Sequence, residues 1–222
     1  MIDLLIATRN SHKLEEIQQL AGTGIRCFGL AELPPIPEVE ETALTFDGNA
    51  VLKARAIASC LCSSSGLQEV WKHIGRGQRL FVVADDSGLE VDALGGAPGV
   101  HSARYASISG ESNASDQANN RKLLQALSGI PLNRRQARFR CVIAMIDITR
   151  FEISSDTDPP LFMGACEGQI AFHTKGDHGF GYDPLFLPEG FTQSLAELGS
   201  EVKQRISHRA VAVKRMVDFL HG

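Results

Sequence analysis

Leu80-Phe81-Val82-Val83-Ala84-Asp85-Asp86-Ser87-Gly88-Leu89-Glu90-Val91-Asp92-Ala93-Leu94, running into Gly95-Gly96-Ala97-Pro98-Gly99, is the stretch on which the fold turns. Its first five residues are apolar without a break, as in a strand covered on both faces. The strand is expected to end abruptly at Asp85-Asp86-Ser87-Gly88. From Leu89 to Leu94 polar and apolar residues alternate, which predicts a second, half-buried strand, followed by a glycine-rich loop. Two adjacent carboxylates directly after an apolar strand are costly unless their charge is compensated. Mg²⁺ is the usual compensation, because it takes hard oxygen ligands and keeps several waters. At a strand end the pair would point into the loop region where α/β proteins hold ligands. The alternative is a turn in which one Asp caps the following segment.

Working outward, Leu4 to Ala7 reads as a buried strand that enters the polar turn Thr8-Arg9-Asn10-Ser11. A helix follows from about His12, with Leu14, Ile17 and Leu20 on one face. Pro34, Pro35 and Pro37 make residues 31–41 a non-helical connector. Residues 43–61 read as a helix whose core positions are Leu44, Val51, Leu52, Ala54 and Ile57. Residues 62–79 read as a surface insertion, with a short helix near Leu67–Ile74 and Trp71 as its anchor. Beyond the central block come a helix over 115–128, strands at Phe139–Ile148 and near Gly164–Phe172, and an amphipathic helix from about Ser207 to Leu220. Strands interleaved with helices predict an α/β fold with a mixed sheet, in one domain spanning 1–222.

Bulk properties narrow the function classes. The chain has 222 residues, 43% hydrophobic and 22% charged, with a formal net charge of −4. That length supports a substantial core, and that balance argues against gripping nucleic acid through overall charge. Cys27, Cys60, Cys62, Cys141 and Cys166 are odd in number and contain no CxxC, so they read as reduced thiols of an intracellular protein. The N-terminal stretch carries Asp3 where a signal peptide wants a base, and no apolar run approaches the ~20 residues of a membrane span. A soluble, cytoplasmic protein is expected.

Four further groups carry chemistry. Thr8 to Lys13 joins a strand to a helix through a polar turn, offering backbone N–H groups and the positive end of a helix dipole. Lys13 opposes that dipole, and an anion would justify it; ordinary helix capping is the alternative. Glu40-Glu41 is either a second source of metal ligands or an exposed acidic patch, and Lys53 would ordinarily be a solvated helix charge. Gly179-Phe180-Gly181-Tyr182-Asp183-Pro184 either presents two aromatic faces to a base or forms a plain turn with two core aromatics. Lys203, with Ser207-His208-Arg209 opening the last helix, suits a phosphate or a carbonyl-bearing base, or else a solvated helix start. No GxxxxGK[ST] P-loop is present.

In order, ATRNSHKLEEI (7–17), EETALTFDGNAVLKARA (40–56), ADDSGLEVDALGGAPGVHSARYA (84–106), DQANNRKLL (116–124), FGYDPLF (180–186) and SHRA (207–210) resemble the ITPase family of non-canonical purine NTP pyrophosphatases, also called HAM1 or RdgB-like. The resemblance implies a long mixed twisted sheet flanked by helices, with two lobes around a central cleft, and a homodimer. It implies Mg²⁺-dependent hydrolysis of ITP, dITP and XTP to the monophosphate and pyrophosphate, with Mn²⁺ as an alternative ion. Thr8, Arg9, Asn10, Ser11, His12 and Lys13 would bind the triphosphate, with Lys53 reaching toward it. Asp86 would be the catalytic base and a metal ligand, supported by Asp85, with Glu41 a further acid at the metal. Ser87 would contact substrate. Phe180, Gly181, Tyr182 and Asp183 would form one wall of the nucleotide pocket, and Lys203, His208 and Arg209 the other.

The chain departs from the family at Thr45-Phe46-Asp47-Gly48-Asn49, where Glu often stands at the position of Gly48. Either Asp47 substitutes for that acid, or Glu41 and Asp86 suffice. Two rival readings keep parts of the site: a Maf-like pyrophosphatase for modified pyrimidines or other altered nucleotides, and a non-catalytic nucleotide sensor.

Overall fold

The structure, a computed structural model, describes residues 1–32, 36–62, 70, 72, 79–107, 113–150 and 158–222. Its strands are β1 (Ile2–Ile6), β2 (Ile25–Gly29), β3 (Arg79–Val91), β4 (Gln136–Asp147), β5 (Leu161–Ile170) and β6 (Phe186–Pro188). Its longer helices are α1 (Ser11–Ala21), α2 (Phe46–Leu61), α3 (Asp116–Ala126), α4 (Leu195–Ile206) and α5 (His208–His221). The strands form one sheet in the order β2-β1-β3-β4-β5-β6. β1 runs parallel to β2 and to β3, whereas β6 is antiparallel to β5, so the sheet is mixed as expected.

Two compact units divide the chain: Met1–Asp86 with Val142–Met163 and Ala212–Gly222, and Ser87–Cys141 with Gly164–Val211. Most of the expected insertion over 62–79, including its anchor Trp71, lies outside the described residues, as do 108–112.

In the first unit every residue of β1 is buried, the pattern of a strand covered on both faces. Its one charge, Asp3, is answered from the neighbouring strand. Arg26 stands opposite it in register and donates Nε and Nη2 to the two carboxylate oxygens, at 2.7 and 2.9 Å. The sequence reading missed β2, whose five residues are mostly half-buried and carry that arginine, so no alternation marks them.

α2 corrects the expected core list. Thr45 caps it, its hydroxyl accepting the Gly48 N–H at 3.1 Å, so the helix begins at Phe46 and Leu44 falls outside it, 90% exposed. Leu52 is also exposed, because the buried stripe is Phe46, Ala50, Ala54, Ile57, Ala58 and Leu61 and two residues' rotation turns Leu52 away from it. Small residues there let the helix sit close to its neighbours.

The larger correction concerns β3. The expected strand, the turn and the first half of the expected second strand are one continuous strand of 13 residues, with Asp85 and Asp86 inside it, while Asp92–Leu94 turn in a short 3-10 helix instead. Neither Asp caps a turn. The pattern misleads because charge inside a strand ordinarily signals its end, and here cationic partners let the strand pass through.

In the second unit Leu89, Val91, Leu123, Leu127, Ala137, Phe139, Tyr182, Leu185, Phe186 and Leu195 share one core. Ser115 caps α3, accepting the Ala118 N–H at 3.2 Å. α4 and β6 were not expected. α4 opens with a capping box between Ser194 and Glu197 but is broken at Gly199, which hides its periodicity. Lys203 belongs to α4, and the last helix, α5, starts only at His208.

Candidate active site

The first unit gathers three of the expected acidic residues around one ammonium. Lys53 projects from α2 and donates to Glu41 Oε1 at 3.1 Å, to the Asp85 carbonyl at 2.9 Å and to Asp86 Oδ1 at 3.0 Å. It is not a solvated charge: its side chain is only 13% exposed. Lys13 takes the other aspartate, pairing with Asp85 Oδ1, whose side chain is fully buried. Two lysines thus answer the two carboxylates that a continuous β3 buries.

Electrostatics at this cluster are not simply balanced. Burial pushes the Asp86 carboxyl above its ordinary pKa, and the nearby Glu41 charge adds to that, outweighing Lys53 and Lys13. Burial opposes the charge on Lys53, but Asp86, Glu41 and Asp85 together hold its pKa above the ordinary lysine value. Asp86 is therefore a more basic carboxylate than a solvated one, and Lys53 stays charged.

A cation has a natural place here. Asp86 Oδ2 is buried and accepts no hydrogen bond among the described residues. Such an atom is rare in folded proteins and calls for a partner: a water, a ligand or an ion. Among the described residues no three His, Cys, Asp or Glu side chains are grouped to enclose an ion. Mg²⁺ does not require such a cage, since one or two carboxylates suffice while waters complete its shell. Asp86 and Glu41 supply hard oxygens of that kind. Asp47, in the first turn of α2, is not among the partners of Lys53.

The turn before α1 is more self-contained than its sequence suggests. Asn10 Oδ1 accepts the N–H groups of His12 and Lys13 at 2.9 and 3.3 Å, and Thr8 Oγ1 accepts that of Asn10 at 3.1 Å. Arg9 donates to the Ile36 carbonyl at 2.6 Å. Ordinary capping is what this segment does here, and Asp85 supplies the anion that justifies Lys13. These exposed caps are easily exchanged for a stronger acceptor.

The second unit assembles the remaining residues. Asp183 Oδ2 accepts the Phe180 N–H at 3.0 Å and Lys203 Nζ at 2.6 Å. At Gly179 a side chain would strike that same carboxylate, so the close approach requires glycine. The half-buried Phe180 ring lies 4.5 Å from Lys203 Nζ and 5.9 Å from Arg209 Cζ, both on its face. Arg209 is 1% exposed and donates to Ser87 Oγ at 2.7 Å. His208 stacks on Phe139 at 4.8 Å. Tyr182 departs from expectation. Its ring belongs to the core and its hydroxyl donates to the Ser102 carbonyl at 2.9 Å, so Phe180 alone of the two aromatics presents a face. Ser102, within the SAR of 102–104, was not singled out, and no charge or glycine marks it.

Known proteins resemble this chain over nearly its whole length. The Ham1 family model matches residues 4–219. A dITP/XTP pyrophosphatase of Porphyromonas gingivalis is 47% identical over 220 residues, covering 99% of this chain and 98% of that protein. A dITP/XTP pyrophosphatase of Bacillus subtilis is 40% identical over 100% of this chain and 98% of its own. Among solved structures, the Ham1 protein of Coxiella burnetii superposes with a TM-score of 0.77 at 36% identity, covering 100% of this chain and 99% of that one. The Ham1 protein of Staphylococcus aureus gives 0.76 at 37% identity, covering 99% and 98%.

Proposed function

The chain belongs to the Ham1 family, and from that premise we propose that it is a pyrophosphatase hydrolysing XTP, dITP and ITP to the monophosphate and pyrophosphate. The observation that carries the mechanism is the pair of buried aspartates on β3, held by Lys13 and Lys53, with one Asp86 oxygen lacking a hydrogen bond among the described residues. That relatives are dITP/XTP pyrophosphatases favours a deaminated purine over a modified pyrimidine, and turnover over mere sensing.

Asp86 and Glu41 would hold Mg²⁺, with Mn²⁺ as an alternative occupant, and the ion's chemistry there is neutralisation of phosphate oxygens. Asp86 orients a water and takes its proton as the oxygen attacks the α-phosphorus. Its raised pKa suits that task, since a general base works best when its pKa approaches the working pH. The α–β phosphoanhydride bond breaks, and the charge of departing pyrophosphate is met by Lys13 and Lys53. Thr8, Arg9, Asn10, Ser11 and His12 bind the triphosphate through the α1 N-terminus. Positioning and charge dominate, because phosphoryl-type transfer needs little covalent help.

At the base end, Arg209 and nearby backbone N–H groups donate to O6 of the purine, with Ser87 anchoring the guanidinium. The 6-amino group of ATP leaves such buried donors unpaired, which discriminates by about 10⁴-fold. Phe180 stacks on the base, its loop held by Gly181, Tyr182 and Asp183, with Lys203 and His208 beside it. The enzyme acts on the soluble nucleotide pool of the cytoplasm as a homodimer, without nucleic-acid or membrane partners. Among the described residues no helix is long and apolar enough to cross a membrane.

Asp86→Asn tests the mechanism. Its kcat for XTP is expected to fall by about 10²–10⁴-fold, the usual worth of a general base, with the circular dichroism spectrum unchanged. Near-normal kcat in that variant would sink the assignment.

A further inference from the structure

The segment DQANN, residues 116–120, opens α3 and has so far had no part in the chemistry. Two of its side chains grip a single residue of the aromatic loop. Asp116 Oδ2 accepts the Gly181 N–H at 2.6 Å, and Asn120 Nδ2 donates to the Gly181 carbonyl at 2.9 Å. Four residues apart on a helix, they stand on one face a turn apart, spaced to hold both sides of one residue. Gly181 has φ +64, a conformation that favours glycine, so its backbone lies against α3 with no side chain of its own.

The Asn120 amide is kept at a cost. The residue is 6% exposed, and its Oδ1 is buried with no hydrogen-bond partner among the described residues. A buried amide with half its capacity unused is worse for stability than an apolar side chain of the same size. What offsets that cost is the bond its Nδ2 makes to Gly181. The adjacent Asn119 works differently: its Oδ1 accepts the Ala106 N–H at 2.8 Å and its Nδ2 donates to the Ala103 carbonyl at 3.1 Å, securing the segment before α3.

With these bonds the loop is tied at each successive residue. The Phe180 N–H goes to Asp183, both polar groups of Gly181 go to α3, and the Tyr182 hydroxyl goes to Ser102. The Phe180 ring, facing Lys203 and Arg209, is what the tied loop presents. We infer that Asp116 and Asn120 are positioning residues for base recognition: they clamp the Gly181 backbone on α3 and thereby fix the face of Phe180 against which the purine stacks. The inference rests on the assignment of Phe180 to the base pocket proposed above. It also explains why a helix remote in sequence from residues 180–183 begins with Asp116 and carries Asn120 one turn on. The acid does double duty, since a carboxylate in a first turn also suits the helix dipole.

The test compares Asn120→Leu, Asp116→Ala, Asp116→Asn and Phe180→Ala with the parent enzyme. Three quantities are read: kcat and KM for XTP, and the inhibition constant of pyrophosphate, which reports the phosphate end alone. Asn120→Leu and Asp116→Ala should each raise KM about tenfold, with kcat within about twofold and pyrophosphate inhibition unchanged. Asp116→Asn keeps an acceptor for the Gly181 N–H and should restore most of the parent KM. Amide hydrogen exchange at Gly181 should accelerate in Asp116→Ala and not in Asp116→Asn. If Phe180→Ala raises KM while both clamp variants leave it unchanged, the inference is overturned and the base-pocket assignment stands. If Phe180→Ala leaves KM unchanged, the base-pocket assignment fails and the inference falls with it. A parallel loss of kcat, KM and pyrophosphate affinity in Asn120→Leu and Asp116→Ala would mark general damage to the fold, and also overturns it.

Discussion

Asp86 is where chemistry and stability oppose each other. Its pKa lies above the ordinary carboxylate value because burial and Glu41 disfavour the charged form more than Lys53 and Lys13 favour it. For a group whose folded pKa is raised, the stabilising contribution is full below the unfolded-state pKa and is lost as pH rises through the folded one. Ionised Asp86 therefore costs the fold stability at neutral pH, and Asp86→Asn removes that cost. Its melting temperature should exceed the parent's at pH 8, with the gap closing toward pH 4; scanning calorimetry at the two pH values checks this. A parent protein more stable than the variant at pH 8 would contradict the electrostatic picture. Gly48 makes a second point at this scale. A side chain there would meet the Ala43 methyl carbon at 2.6 Å, so the space for the acid often found at this position is filled by Ala43. Gly48→Glu alone should cost about 1–3 kcal/mol in a denaturant titration, the usual price of overpacking. Adding Ala43→Gly should recover most of that loss.

Elements were legible where pattern and environment agreed, and illegible where a partner distant in sequence overrode the pattern. β1, α3, β4, β5 and α5 follow from unbroken apolar runs or helical spacing. β3 was read as two strands because Asp85 and Asp86 break its alternation, and the cancelling charges of Lys13 and Lys53 arrive from 72 and 33 residues away. β2 and β6 are short, and α4 is interrupted at Gly199, so none shows a sustained period. The site followed the same division. Asp86 stood out as a carboxylate following an apolar run, whereas Lys13, Glu41, Lys53 and Arg209 read equally as surface charges or caps and took their roles from the family resemblance; the structure brings all five into clusters. The burial of Tyr182 was not decided by the sequence, since an aromatic in a glycine-rich turn reads alike as pocket wall and as core. The internal use of the α1 turn was one of the two readings the sequence offered. Asn10 fills it with its own side chain, so Asn10→Ala should cost about 1 kcal/mol of stability in a thermal melt. An unchanged melting temperature would show that the cap contributes nothing.

At the scale of the whole molecule, apart from Asp3, paired with Arg26, and Arg135, the chain places its buried charge in two groups, one in each compact unit. The first holds Lys13, Lys53, Asp85, Asp86 and Glu41, a set suited to phosphate and cation. The second holds Arg209, Lys203 and Asp183 around Phe180, a set suited to a planar base with a carbonyl. They meet in the sequence at the Asp86–Ser87 peptide bond, inside β3, where one unit gives way to the other. A single strand thus carries both the carboxylate and the serine. That division places the identity of the base, rather than the phosphate chemistry, as the property that distinguishes this enzyme from an indiscriminate triphosphatase. The measurement that tests this most directly is pyrophosphate release by the purified protein with Mg²⁺, comparing XTP, dITP and ITP with GTP, ATP and dUTP. The account, whose selectivity rests on donors to O6, predicts kcat/KM for the first three at least about a hundredfold above that for ATP. Equal hydrolysis of all six, or none of any, would contradict it.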